Sequence, residues 1–198
     1  MMSQAEVFRC ERAKGASIEA TITGGFGAVW LALGMTAAGL PVSIALVVVV
    51  PAFVLIASLA STVRRRLPKF SGAESPEKKQ MMRAFAVVNV VEWLAIFGTI
   101  NLLRNLQLDG WIVSAIVLIV GAHFLPLARI FGARQHVITG TALMLCAAVA
   151  VLLPGSVRDV VECLSAGLIL WASSAAALYT AFRLAPSARL TASAGLQR

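Results

Sequence analysis

The chain has 198 residues, of which 59% are hydrophobic and 13% charged, and its mean hydropathy is +0.86. This composition excludes an ordinary soluble domain and is typical of a protein with several long apolar membrane spans. A formal net charge of +8 would suggest nucleic-acid binding in a soluble protein. Here the basic residues lie between the apolar segments, where membrane topology would put them, so we expect no nucleic-acid partner.

Residues 1–17 form a polar segment of mixed charge, which we interpret as a short disordered cytoplasmic segment rather than a cleaved signal peptide. Apolar segments follow at about 18–39 and 42–63, each long enough for a membrane-spanning helix. Small residues recur every fourth position in the first, among them Ala20, Gly24 and Ala28, and this pattern predicts a closely packed helix face. We interpret Glu19, in its first turn, as an interfacial carboxylate, with a polar interior as the alternative.

The segment 64–83 is the one long polar connection between apolar segments, and most of its charges are basic. Two interpretations account for it: a patch that binds anionic lipid headgroups or nucleic acid, and the cytoplasmic loop of a positive-inside topology. We favour the topological reading, because it explains the location of the charges as well as their sign.

A carboxylate and an imidazole lie within the next two apolar segments, at about 84–103 and 111–128. Glu92 follows Ala84 by eight residues, which is about 12 Å along a helix, and His123 precedes Arg129 by six, which is about 9 Å. If these two helices are antiparallel neighbours, the two side chains lie at similar depth and can touch. Asn89 precedes Glu92 by three residues on the same helix face and is the candidate third member of a polar or proton site.

The run His123-Phe124-Leu125-Pro126-Leu127-Ala128 resembles a segment of small uncharacterised bacterial multi-pass membrane proteins. The resemblance brings no known activity. It implies a location in the bacterial inner membrane.

The last two apolar segments lie at about 137–153 and 160–182, and residues 184–198 form a polar tail that we expect to be disordered. His136 stands at the entrance of the fifth segment. We interpret it as a solvated or headgroup-facing side chain.

The distribution of Lys and Arg predicts the topology. Of the 17 basic residues, all except Arg104 and Arg158 fall on one side of a six-span arrangement. We therefore expect an all-α integral membrane protein in which residues 18–183 form a six-helix bundle of three sequential hairpins, with both termini in the cytoplasm.

The sequence lacks the motifs of the common membrane enzymes and of bound cofactors. It contains no H-E-x-x-H, no G-x-S-x-G and no C-x-x-C, and Glu92 with His123 alone would leave a metal ion under-ligated. We therefore expect neither enzymatic activity, nor a metal, nor a cofactor. The expected partners are the lipid bilayer, anionic headgroups at the basic loop and, as an open alternative, further copies of the chain in a homo-oligomer.

Two functional hypotheses remain. In the first, the protein moves a small solute or a proton, and Glu92 and His123 exchange a proton within the membrane. In the second, it is a structural or regulatory membrane subunit, and the pair only fixes helix packing.

Overall fold

The computed structural model describes residues 3–68 and 76–185, and within these ranges the chain is built of helices without strands. A 3₁₀ turn, Asp109–Trp111, precedes the fourth helix. The helices are α1 (Gln4–Ala37), α2 (Val42–Arg66), α3 (Pro76–Asn105), α4 (Ile112–Phe131), α5 (Arg134–Ala150) and α6 (Gly155–Leu184). The predicted all-α class is confirmed.

Five segments are long and apolar enough to cross a membrane, namely α1, α2, most of α3, α4 with its 3₁₀ turn, and α6. The prediction of a multi-span membrane protein is confirmed to this extent. With 17 residues, α5 is about 25 Å long, slightly shorter than the ~30 Å hydrocarbon core of a bilayer.

The N-terminal segment is helical, and the predicted disorder of this segment is wrong. Ser3 caps α1: its hydroxyl accepts a hydrogen bond from the Glu6 amide at 3.3 Å, while the Glu6 carboxylate accepts one from the Ser3 amide at 2.8 Å. Cys10 and Ala13 are buried in a small cluster with residues of α2 and α6. The segment is therefore ordered by a capping box at its start and by packing along one face.

The polar connections are shorter than the sequence suggested, because helices extend into them. α2 continues through Arg64, Arg65 and Arg66, and α3 begins at Pro76. Helix therefore takes up residues 64–66 and 76–83 of the predicted basic loop, 64–83. Residues 69–75 of that loop lie outside the described residues, as does the tail from 186 onward.

Helices from different predicted hairpins make the most extensive contacts. The α1–α2, α3–α4 and α5–α6 pairs do pack together, but α1 contacts α6 most, and α4 contacts α5 more than it contacts α3. Small residues allow these approaches: a Cβ on Gly34 of α1 would lie 2.8 Å from Leu164 of α6, and one on Gly140 of α5 would lie 2.5 Å from the carbonyl oxygen of Gly121 of α4.

The bundle has two ends that differ in charge. We call one the basic end; it carries Arg64–Arg66 of α2, Arg129 of α4 and Arg134 of α5. The opposite end carries Gly110, before α4, and Arg158, near the start of α6, which touch each other. The helices α4 and α6 thus begin at the opposite end, and both run towards the basic end.

Candidate functional site: two buried carboxylate–imidazole pairs

Glu92 of α3 and His123 of α4 are in contact inside the bundle. Their Oε2 and Nδ1 atoms are 3.3 Å apart, and the two side chains are only 15% and 9% exposed. The contact expected from counting depth along antiparallel helices is confirmed. Its functional role stays a prediction.

Asn89 lies one turn before Glu92 but bonds within its own helix. Its side-chain amide donates a hydrogen bond to the carbonyl oxygen of Phe85 at 2.8 Å. Within the described part of the chain, no bond joins Asn89 to Glu92 or His123. The structure therefore brings together two of the three predicted site residues and leaves Asn89 beside them.

A second pair, Glu19 of α1 with His136 of α5, repeats the chemistry of the first. Oε1 of Glu19 and Nδ1 of His136 are 3.6 Å apart, and the His136 and Glu19 side chains are 5% and 23% exposed. The prediction that His136 faces solvent or headgroups is wrong, because α5 begins at Arg134 and packs its first turn against neighbouring helices. The alternative reading of Glu19, with its side chain in a polar interior, fits the structure.

The second pair is held by hydrogen bonds from α5 and α6. The side-chain amide of Gln135 donates to the carbonyl oxygen of Ser173 at 2.6 Å, and Oε1 of Glu19 lies 3.3 Å from the same nitrogen. The hydroxyl of Thr139 lies 3.0 Å from that of Ser173. Glu19 is thus contacted directly by Gln135 and His136 of α5, and Gln135 is in turn anchored to Ser173 of α6.

The two pairs lie close together because a tight turn joins α4 to α5. Gly132 adopts the left-handed conformation, with φ +61°, which ends α4 and lets α5 begin two residues later. The Phe124 ring then contacts both imidazoles, with centroid distances of 6.1 Å to His123 and 5.8 Å to His136. We call Glu19, Glu92, His123 and His136 the Glu–His layer; its members come from α1, α3, α4 and α5.

The arrangement can hold protons without net charge. Each pair is neutral overall either as a carboxylate with an imidazolium or as a carboxylic acid with an imidazole, so one proton per pair can shift between partners. Neither Nδ1 atom has a well-aligned hydrogen bond to another group in residues 3–68 and 76–185. The ionisable oxygen nearest to each is the carboxyl oxygen of its own pair, at 3.3 and 3.6 Å, slightly longer than the ~2.6–3.2 Å of direct proton transfer.

The layer does not form a metal-binding set. Across the described residues, no group of three or more His, Cys, Asp and Glu side chains could hold a metal ion.

Glu19 and His136 were missed because both were assigned to segment ends from hydropathy alone. The signal that could have placed Glu19 is the capping box at Ser3 and Glu6, which extends α1 and carries Glu19 well inside the helix. Comparison with known proteins adds nothing to these local arguments, since no family model, no curated protein and no solved structure matches this chain.

Proposed function

We propose that this chain is a multi-pass protein of the bacterial inner membrane that moves a proton, or a small solute together with a proton, by protonating and deprotonating the Glu92–His123 pair. The observation that carries the proposal is the Glu–His layer, in which two carboxyl groups and two imidazoles from four helices meet inside an apolar bundle. Ionisable side chains inside membrane spans are costly, and they commonly mark ion or proton pathways.

The presence of the Glu19–His136 pair favours transport over helix packing as the role of the Glu92–His123 pair. One buried pair could serve to hold two helices together. Two such pairs, whose imidazoles both pack against the same Phe124 ring, place four groups that can each hold a proton in one layer of the bundle.

The proposed topology has six crossings with both termini in the cytoplasm. The positive-inside rule supports it, since all Lys and Arg residues except Arg104 and Arg158 are then cytoplasmic. The course of α5 also supports it: α4 and α6 run in the same direction, so the chain between them has to return across the bundle. In this topology Arg64–Arg66 end α2 at the cytoplasmic surface, within reach of anionic headgroups.

A structural role is the second candidate, and one observation favours it. Among the helices, α3 packs chiefly against α4, so the Glu92–His123 contact could serve to anchor α3 to the rest of the bundle. A polar contact between membrane helices contributes about 0.6–2 kcal/mol, enough to fix their register.

Proton flux in reconstituted vesicles separates the two candidates. The purified protein is placed in vesicles that contain a pH-sensitive dye, and a pH step is applied with a potassium ionophore present to remove the opposing potential. The transport proposal predicts a flux that Glu92→Gln abolishes and that Glu11→Gln, which alters an exposed carboxylate two turns before Glu19, leaves intact. Inserted, folded protein without flux at any pH would favour the structural role.

A further inference from the structure

A third buried carboxyl group lies at the opposite end of the bundle from the basic end. Glu162, in the second turn of α6, is 0% exposed. The hydroxyl of Ser114, in the first turn of α4, donates a hydrogen bond to its Oε2 at 2.9 Å. Its other carboxyl oxygen, Oε1, is buried and has no hydrogen-bond partner among the described residues.

The guanidinium nearest to Glu162, that of Arg158, contacts other groups. Arg158, one turn earlier on α6, donates to the carbonyl oxygen of Gly110 and stacks 4.0 Å from the centre of the Trp111 ring. Its Nε lies 3.9 Å from Oδ1 of Asp159 without a hydrogen bond, and within the described ranges no ion pair joins Arg158 to Glu162, so the Arg158 charge acts on Glu162 only over a longer distance.

The remaining titratable neighbours of Glu162 give it no positive partner. They are Asp159 and the thiols of Cys146 and Cys163. A buried carboxylate with a single hydroxyl donor and no cation in direct contact is costly, whereas a carboxylic acid there is neutral. Such an acid would carry its proton on Oε1 and accept the Ser114 hydrogen bond on Oε2.

An apolar layer separates Glu162 from the Glu–His layer. Along α4, Ser114 precedes His123 by nine residues, which is about 13 Å of helix. Along α6, Glu162 precedes Ser173 by eleven residues, which is about 16 Å. The space between is filled by a buried cluster that includes Val117, Leu143, Ala166 and Leu170.

From this placement we infer that Glu162 is a second proton-binding site, at the end of the bundle away from the Glu–His layer, with the apolar cluster as the barrier between them. The inference rests on the proposed function for its place on a proton route. In the binding step, the carboxylate of Glu162 takes a proton from hydronium, which leaves a neutral carboxylic acid and a water molecule; release is the reverse. In the proposed topology, with both termini in the cytoplasm, Glu162 lies at the outer side of the membrane and exchanges protons with that side.

Difference infrared spectroscopy tests proton binding without any need for transport. The reconstituted wild type at neutral pH is expected to show a carboxylic-acid carbonyl band that Glu162→Gln removes. Ser114→Ala should shift that band to higher frequency, because the carbonyl loses a hydrogen bond. Asp109→Asn, which alters an exposed carboxylate at the same end of the bundle, should leave the band unchanged.

A spectrum in which Glu162→Gln removes no band, from protein that keeps its helix content, would overturn the inference. If Glu162→Gln fails to fold, Ser114→Ala decides: an unchanged band would mean that the protonated carboxyl is not Glu162.

Flux measurements then test whether the site lies on the route. Glu162→Gln should reduce the wild-type proton flux at least tenfold, while Asp109→Asn keeps it. Undiminished flux in Glu162→Gln would refute the route through Glu162 and leave the proposed function standing. A wild type that shows the band but carries no flux would refute the proposed function and leave Glu162 as a proton-binding side chain only.

Discussion

The newly found pair, Glu19 with His136, gives a sharp energetic prediction. Two unit charges 3.6 Å apart attract by about 4–5 kcal/mol at an effective dielectric constant of about 20. A neutral polar contact between membrane helices contributes about 0.6–2 kcal/mol. Because a shared proton keeps both groups uncharged within the membrane, we predict a coupling energy of about 1–2 kcal/mol, in the neutral range.

A double-mutant cycle measures this coupling. The free energy of unfolding is determined for the wild type, Glu19→Gln, His136→Gln and the double variant, by titrating the protein from mild detergent into sodium dodecyl sulfate and following tryptophan fluorescence. The control cycle pairs Glu11→Gln with His136→Gln, which should be additive within about 0.3–0.5 kcal/mol. A coupling energy of Glu19 with His136 within that error would refute the contact, and one near 4–5 kcal/mol would show an ion pair instead of a shared proton.

Three further predictions concern the fold. Gly140→Val should destabilise the bundle by about 1–3 kcal/mol, because its added carbons meet the Gly121 backbone. The control Gly98→Val, where a Cβ has open space, should not destabilise it. The same unfolding titration compares the two variants, and equal effects would contradict the close α4–α5 packing. Ser3→Ala should cost about 0.5–2 kcal/mol at the helix start, seen as faster hydrogen exchange of the Glu6 and Val7 amides, and unchanged exchange would argue against the cap. Reporter fusions after Gly72 and after Gln107 should report opposite sides of the membrane, and a common side would break the six-crossing topology.

The contact between Glu92 and His123 could be predicted because its geometry is local. Both residues lie well inside their helices, and one short connection, residues 106–108 before the 3₁₀ turn, joins α3 to α4. For such neighbours, depth along each helix decides which side chains meet, so errors of a few residues at the ends matter little.

The contact between Glu19 and His136 could not be found in the same way. Its partners are 117 positions apart on helices that are not sequence neighbours, and both stand near a polar boundary. Hydropathy assigns such residues to the interface. Their burial depends on the extension of α1 to Gln4 and on the tight turn at Gly132, which are features of capping and backbone conformation.

The sequence also does not predict which helices pack against each other. Helices joined by short loops are expected to pack as sequential hairpins. The most extensive contact nevertheless joins α1 to α6. Gly27 and Gly34 of α1 and Gly167 of α6 make that contact close. Small-residue faces also occur on other helices, so the sequence shows which faces can pack closely but not which face meets which.

Proton flux through vesicles that contain the wild type or Glu92→Gln decides whether the Glu92–His123 pair carries protons across the membrane. The Gln side chain keeps the shape and hydrogen bonding of Glu92 but cannot bind and release a proton. We therefore expect at least a tenfold loss of flux with a stability change of no more than about 2 kcal/mol. Flux that is equal in the two proteins, both inserted and folded, would contradict it.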